Sequence, residues 1–217
     1  MDEFSATRQH MVEGQIRPNR VTDHRLVAAM AEVPRERFVP RNLRGVAYVD
    51  EDIEIAPGRY LMEPRVFARL VQAARIQDSD IVLDVGCGRG YSTAVLARLA
   101  ATVVALESDE ALAAKAGETL AELEVDNAVV VTGELTAGYP GQGPYDVIFL
   151  SGAADQVPEP LTDQLAEGGR LVAVIGGGGV GRATLIARHD ELLARRALFD
   201  ATVSPLPGFH EAPGFVF

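Results

Sequence analysis

The sequence predicts an α/β fold: a doubly wound, mostly parallel seven-stranded sheet with helices on both faces, behind an N-terminal helical extension. Three observations carry that reading. Ile81, Val82, Leu83 and Val85 form a short apolar run, as expected of a parallel strand buried on both faces. Gly86, Gly88 and Gly90 follow it as G-x-G-x-G, then a helix-patterned stretch over 91–101 and a second strand over 102–106, so the unit is βαβ. Beyond it strand and helix patterns alternate until two final stretches lose the helical period and read as an antiparallel pair.

Taken in order, Phe4, Met11, Val12 and Ile16 are the apolar residues of a first helix that Pro18 stops. Thr22 is the expected N-cap of a second, with Leu26, Val27, Met30 and Val33 on its buried face and Pro34 closing it. A long connection carrying Pro34, Pro40, Pro57 and Pro64 follows, and connections of that length in a compact domain are functional or disordered. Phe38, Val39 and Tyr48 argue for order by offering apolar side chains. Pro64 stands where a helix begins, with Val66, Phe67, Leu70, Val71 and Ala74 on one face. The expected division is therefore an extension over 1–63 and a sheet domain over 64–217.

In the βαβ unit, Val95, Leu96 and Leu99 share the inward face of the helix, and Glu107 ends the second strand. Asp109 caps a helix reaching about residue 124, with Leu112, Ala116, Leu120 and Leu123 inward. Strand three is 128–132, closed by Gly133 and Glu134. Strand four is 145–151, and Ser151 opens a loop with Gly152, Ala153 and Ala154. A short helix over 160–166 is expected to stop at Gly168 and Gly169, before strand five at 170–175.

Ligands of such sheets bind outside the carboxyl ends of the strands, where Gly86, Glu107, Gly133 and Ser151 all fall. The glycine turn leaves no side chain between backbone and ligand, and the unit reads as nucleoside-binding. A dinucleotide fingerprint needs a third glycine five residues after the first, and Tyr91 stands there. Gly176, Gly178 and Gly181 do match G-x-G-x-x-G, but strand-like sequence follows, so that stretch reads as a flexible hairpin loop. Cys87, the single cysteine, reads as a small space-filler and excludes an internal disulfide. His10, His24, His189 and His210 are scattered without metal-ligand spacing, so no metal is expected. A net charge of −11 argues against a nucleic-acid partner. The polar N-terminus and the lack of a long apolar run argue for a cytoplasmic protein away from membranes.

Asp84 ahead of the turn and the two-residue glycine spacing resemble the first motif of the class I S-adenosylmethionine-dependent methyltransferases. That resemblance places the methionine part of the cofactor on the glycine turn and both ribose hydroxyls on Glu107, a group able to accept two hydrogen bonds from a diol. The chain further resembles the protein-L-isoaspartate O-methyltransferases over almost its whole length. RLVAAMAEVPRERFVPRNLRGVAYVD, VLDVGCGRGYSTAVLARL and VPEPLTDQLAEGGRLVAVIG carry the likeness, the first and last being specific to that family. It implies methyl transfer from S-adenosylmethionine to the free carboxylate of an isoaspartyl residue, in protein repair. It also implies a cofactor pocket of Asp84, Gly86, Cys87, Gly88, Gly90, Tyr91, Glu107, Ser108, Gly133, Glu134, Leu135 and Ser151.

The departure lies in the loop before Pro64. The family carries G-Q-T-I-S-Q-P there, with its Ser in the active site, and this chain reads GRYLMEP. Tyr60, Leu61, Met62 and Glu63 therefore define the expected acceptor side, with Met62 at the Ser position. Met62 offers no O–H donor, and Glu63 adds a negative charge that opposes a carboxylate substrate. Two functions follow: a carboxyl methyltransferase acting on an isoaspartyl peptide or another acceptor, small molecules included, or a cofactor-binding module without transfer.

Overall fold

The computed structural model describes residues 4–176, 179–190 and 192–210. Its seven-stranded sheet has the order β5-β4-β3-β6-β7-β8-β9. In chain order these strands are β3 (Ile81–Val85), β4 (Thr102–Glu107), β5 (Ala128–Thr132), β6 (Tyr145–Ala154), β7 (Leu165–Ile175), β8 (Gly181–His189) and β9 (Leu192–Ala201). Pairings from β5 to β7 are parallel, and those of β8 and β9 antiparallel, as the final alternating stretches predict. The loop read at Gly176 and Gly181 joins β7 to β8, with Gly178 outside the described residues.

The period of two along each strand sorts side chains onto two faces. Val82, Val103, Val147, Phe149 and Val172 meet the N-terminal helices, and Leu83, Val104, Ile148 and Leu171 meet the opposite layer. On the first face lie α1 (Ser5–Met11), α2 (His24–Glu32), α3 (Pro64–Ala74) and α4 (Tyr91–Leu96). Ala116 and Leu120 of α5 (Glu110–Glu122) pack on the same side. The opposite face has α6 (Glu159–Asp163), whose Leu161 packs with Leu135, Leu206 and Phe209. The extension contributes Met11, Ile16, Leu26 and Met30 to the same core as the sheet.

Several boundaries differ from the sequence reading. Asp23, not Thr22, caps α2, because its carboxylate accepts from the N–H groups of both Arg25 and Leu26. The first helix widens into a π turn over Val12–Ile16 and then tightens into a 3-10 turn over Arg17–Asn19 before Arg20 turns left-handed. The helix of the βαβ unit ends at Leu96 rather than 101. Strand β6 continues through Ala154 rather than becoming a loop at Ser151, and β7 already begins at Leu165 and contains Gly168 and Gly169. The Pro-rich connection holds an unforeseen hairpin, β1 (Ile53–Ala56) with β2 (Arg59–Leu61). Gly58 supplies its turn at φ +69° and donates its N–H to Glu54 at 3.1 Å.

Candidate functional site

The glycine turn has the backbone its sequence requires. Gly86, Gly88 and Gly90 all have positive φ, at 77°, 57° and 94°. Asp84 lies beneath the turn, fully buried, and accepts from Ser92 at 2.6 Å, Thr93 at 2.7 Å and Ser151 at 2.7 Å. Burial pushes its carboxyl up, and the three hydroxyls act against that shift. Its oxygens therefore brace β3, α4 and β6 against one another. Cys87 is buried beside them, and burial raises its thiol well above the ordinary range, so it is inert as a nucleophile.

Glu107 stands where the sequence places it, at the end of β4, with 0 % exposure. One carboxylate oxygen accepts from the N–H of Gly88 at 2.7 Å, and the other from the N–H groups of Ser108 at 2.8 Å and Asp109 at 3.0 Å. Glu107 and the glycine turn are thus brought together. So are Gly133, whose N–H reaches the Glu107 carbonyl at 3.0 Å, and Ser151 through Asp84. Glu134 is exposed at the mouth and accepts from Thr136, while Leu135 is buried in the second layer. Tyr91 is turned away: its ring packs on Phe38 and Phe67 in the first layer, with Arg35 above it.

The cleft these residues outline is filled by the chain itself. Arg59, buried on β2, clasps Glu107 with two nitrogens: Nη2 donates to Oε2 at 2.7 Å, and Nη1 donates to Oε1. Nη2 also reaches the Gly86 carbonyl at 3.3 Å. Leu206 covers the turn so closely that a Cβ on Gly86 would lie 2.5 Å from it, and one on Gly152 2.7 Å. Ile55 of β1 sits likewise over Gly88, at 2.7 Å. Segment 204–209 is strapped to the end of β6, since Ala153 donates to Ser204 at 3.0 Å, Leu206 to Ala153 at 2.9 Å and Asp155 to Phe209 at 3.0 Å.

The departing loop is split by its polarity. Met62 is 4 % exposed and packs in the larger core, while its carbonyl accepts from Arg35 at 2.7 Å. Tyr60 and Leu61 are half-buried on the hairpin. Glu63 instead lines a cavity of about 630 Å³ with Glu51, Asp52, Ala153, Ser204 and His210. Burial raises its carboxyl above the usual range, against the pull of Arg65 at 3.1 Å. Asp52 ties hairpin to strap by accepting from Glu63 at 2.8 Å and Ser204 at 2.6 Å.

Sequence reasoning missed Arg59, Ile55 and Leu206. Arg59 had a signal: aligned on Gly58 and Pro64 it replaces the Gln of G-Q-T-I-S-Q-P, and an arginine within a hairpin of alternating apolar residues needs a buried carboxylate. Leu206 and Phe209 had a weaker one, two apolar residues in PLPGF after the last strand.

A family model described as protein-L-isoaspartate(D-aspartate) O-methyltransferase matches residues 6–202. A protein-L-isoaspartate O-methyltransferase of Methanoculleus marisnigri is 44% identical over 169 residues, 78% of this chain and 77% of that one. A solved protein-L-isoaspartate O-methyltransferase is similar with a TM-score of 0.80 and 26% identity, over 93% of this chain and 66% of its own. A Plasmodium falciparum structure of the same description, in complex with S-adenosyl-L-homocysteine, shares the fold with a TM-score of 0.78 at 20% identity, over 95% of this chain and 99% of that one. Matched by the family model from residue 6 to residue 202, the chain belongs to the protein-L-isoaspartate(D-aspartate) O-methyltransferase family.

Proposed function

We propose that the protein is a cytoplasmic S-adenosylmethionine-dependent carboxyl O-methyltransferase acting on an isoaspartyl carboxylate of a protein or peptide. The observation that carries this reading, beside family membership, is the union of Glu107 with the glycine turn through the Gly88 N–H. That union makes one backbone-lined cleft at the strand ends with an acceptor for a ribose diol. S-adenosylmethionine, when bound, supplies an electrophilic methyl group on a sulfonium. An ionised acceptor carboxylate is already a nucleophile, so the chain's own task is positioning and exclusion of water. Residues 64–217 hold the cofactor in this reading, and 1–63 supply the acceptor side, with Glu63 rather than the buried Met62 facing the acceptor.

The donor set suits the cofactor, but the space does not while Arg59 and Leu206 lie in the cleft. Nucleoside binding requires Arg59 to release Glu107 and the strap to lift from Gly86. Those contacts favour a second reading, a family member whose cleft is closed by its own side chains and which serves as a module without transfer. Calorimetry with S-adenosylhomocysteine, followed by labelled methyl transfer to an isoaspartyl peptide, separates the two. Turnover supports the enzyme. Binding without turnover leaves the module, and absence of cofactor binding at millimolar ligand sinks the enzyme.

A further inference from the structure

Another cavity, of about 270 Å³, lies between the 3-10 turns of the extension and α5, and is lined by five cations together with Val39, Thr119 and the carboxylate of Glu122. We propose that it is an anion site for a phosphate dianion, inorganic phosphate or a small phosphomonoester, held by Arg41, Arg44 and Arg89.

The chain is strongly acidic, at −11, yet Arg37, Arg41, Arg44, Arg89 and Lys115 converge on this one cavity. Two of them are already neutralised: Arg37 pairs with Glu122, and Lys115 with Glu118 at 2.9 Å. Among the described residues, Arg41, Arg44 and Arg89 have no carboxylate partner, so the site retains three net positive charges. The Nε atoms of Arg44 and Arg89 are out of solvent and without a hydrogen-bond partner, while the two residues as a whole are half-buried and Arg41 is exposed. An unmet guanidinium donor out of solvent is costly, and each such group requires an explanation. The two guanidinium groups also oppose one another: Arg89 is held below its ordinary pKa by burial and then by the charge of Arg44.

The fold fixes this arrangement. Arg89 is held between Gly88 and Gly90 in the glycine turn, and Arg44 belongs to the 3-10 turn Arg41–Val46. Lys115 is anchored in mid-helix on α5. Val39 and Thr119 are buried beneath them, and the Thr119 hydroxyl is spent on the Lys115 carbonyl at 2.8 Å. A tetrahedral oxyanion supplies several acceptors at once to guanidinium forks, and its double charge matches the surplus better than a carboxylate does.

The experiment is calorimetry of the full chain with sodium phosphate against sodium chloride of matched ionic strength, at pH 6 and pH 8. Saturable one-to-one binding of phosphate is expected, stronger at pH 8, where the dianion dominates. Arg44→Gln and Arg89→Gln should each weaken it at least tenfold, with folding checked by thermal melts. Arg196→Gln, distant on β9, should leave it unchanged. No saturable phosphate binding by the wild-type chain, equal displacement by chloride, or undiminished binding in both folded variants would overturn the proposal. The readout involves no methyl transfer, so it stands or falls apart from the activity proposed above.

Discussion

Replacing Arg59 by Gln, the residue of the family motif, should make the protein less stable and yet a better binder of S-adenosylhomocysteine. In the wild-type chain the Glu107 carboxylate is saturated: three backbone N–H groups and two guanidinium nitrogens share its two oxygens. A ribose diol has to displace the guanidinium. A hydrogen bond to a charged group is worth about 1.5–3 kcal/mol net, so the clasp biases the closed cleft by at least that much. Apparent affinity falls by the fraction of open molecules, which puts the wild-type penalty at roughly 10- to 150-fold. Arg59→Gln removes this bias, and affinity should rise by the same factor. Stability should fall by about 3 kcal/mol, the low end for breaking a buried pair, because Glu107 keeps its backbone donors. Calorimetry and urea unfolding read the two effects. General damage to the fold lowers both quantities, whereas this reasoning requires them to move in opposite directions. An Arg59→Gln chain that binds no tighter than wild type would refute it.

Leu206→Ala should act on the same cleft from the strap side, tightening cofactor binding while lowering stability by about 2–3 kcal/mol, read by the same two measurements. Met62→Ser should lower stability by about 2–4 kcal/mol in urea unfolding, since a buried apolar side chain is replaced by a hydroxyl in the core. It should leave transfer to isoaspartyl peptides no faster in an initial-rate assay. Glu63 has its folded pKa raised by burial, so its charging disfavours the folded state. Its contribution is therefore lost as pH rises from the ordinary carboxylate value through the raised one. Glu63→Gln should flatten that part of the pH–stability curve measured by thermal unfolding, and should speed transfer to a carboxylate acceptor by removing a like charge.

Much of this was legible in the sequence because it depends on local period. The buried runs at β3 and β4, the positive-φ glycines and the acid at residue 107 follow from residue type and spacing alone, and the structure has all of them. What escaped depends on partners distant in the chain. Strand β6 runs past Ser151 because Ala153 pairs with Ser204 and Leu206, some fifty residues on, which no local pattern announces. Arg59 finds its carboxylate 48 residues away, and only the packed hairpin makes that meeting possible. Tyr91 follows the glycine turn in sequence, but the helix that begins there rotates its ring into the core beside Phe38 and Phe67.

The substitutions in GRYLMEP make physical sense as a set. A thioether at residue 62 has no polar atom that needs water, so the end of the hairpin sinks into the core, where Arg35 holds the Met62 carbonyl. Three residues earlier, at the start of β2, Arg59 is thereby carried over the sheet end, within reach of Glu107. Ile55, on the partner strand, is lowered onto Gly88 by the same movement. Glu63 follows, buried at the edge of the cavity of about 630 Å³, where its N–H reaches Asp52 and Asp52 in turn holds the strap at Ser204. A hydroxyl in place of Met62 would favour a hairpin nearer to water, and a Gln in place of Arg59 would leave Glu107 free for a diol. Closure of the cleft is therefore a property of the loop as one unit. Reversing it takes the arginine first, because, of the side chains that close the cleft (Arg59, Ile55 and Leu206), Arg59 is the one bonded to the carboxylate on which the nucleoside depends.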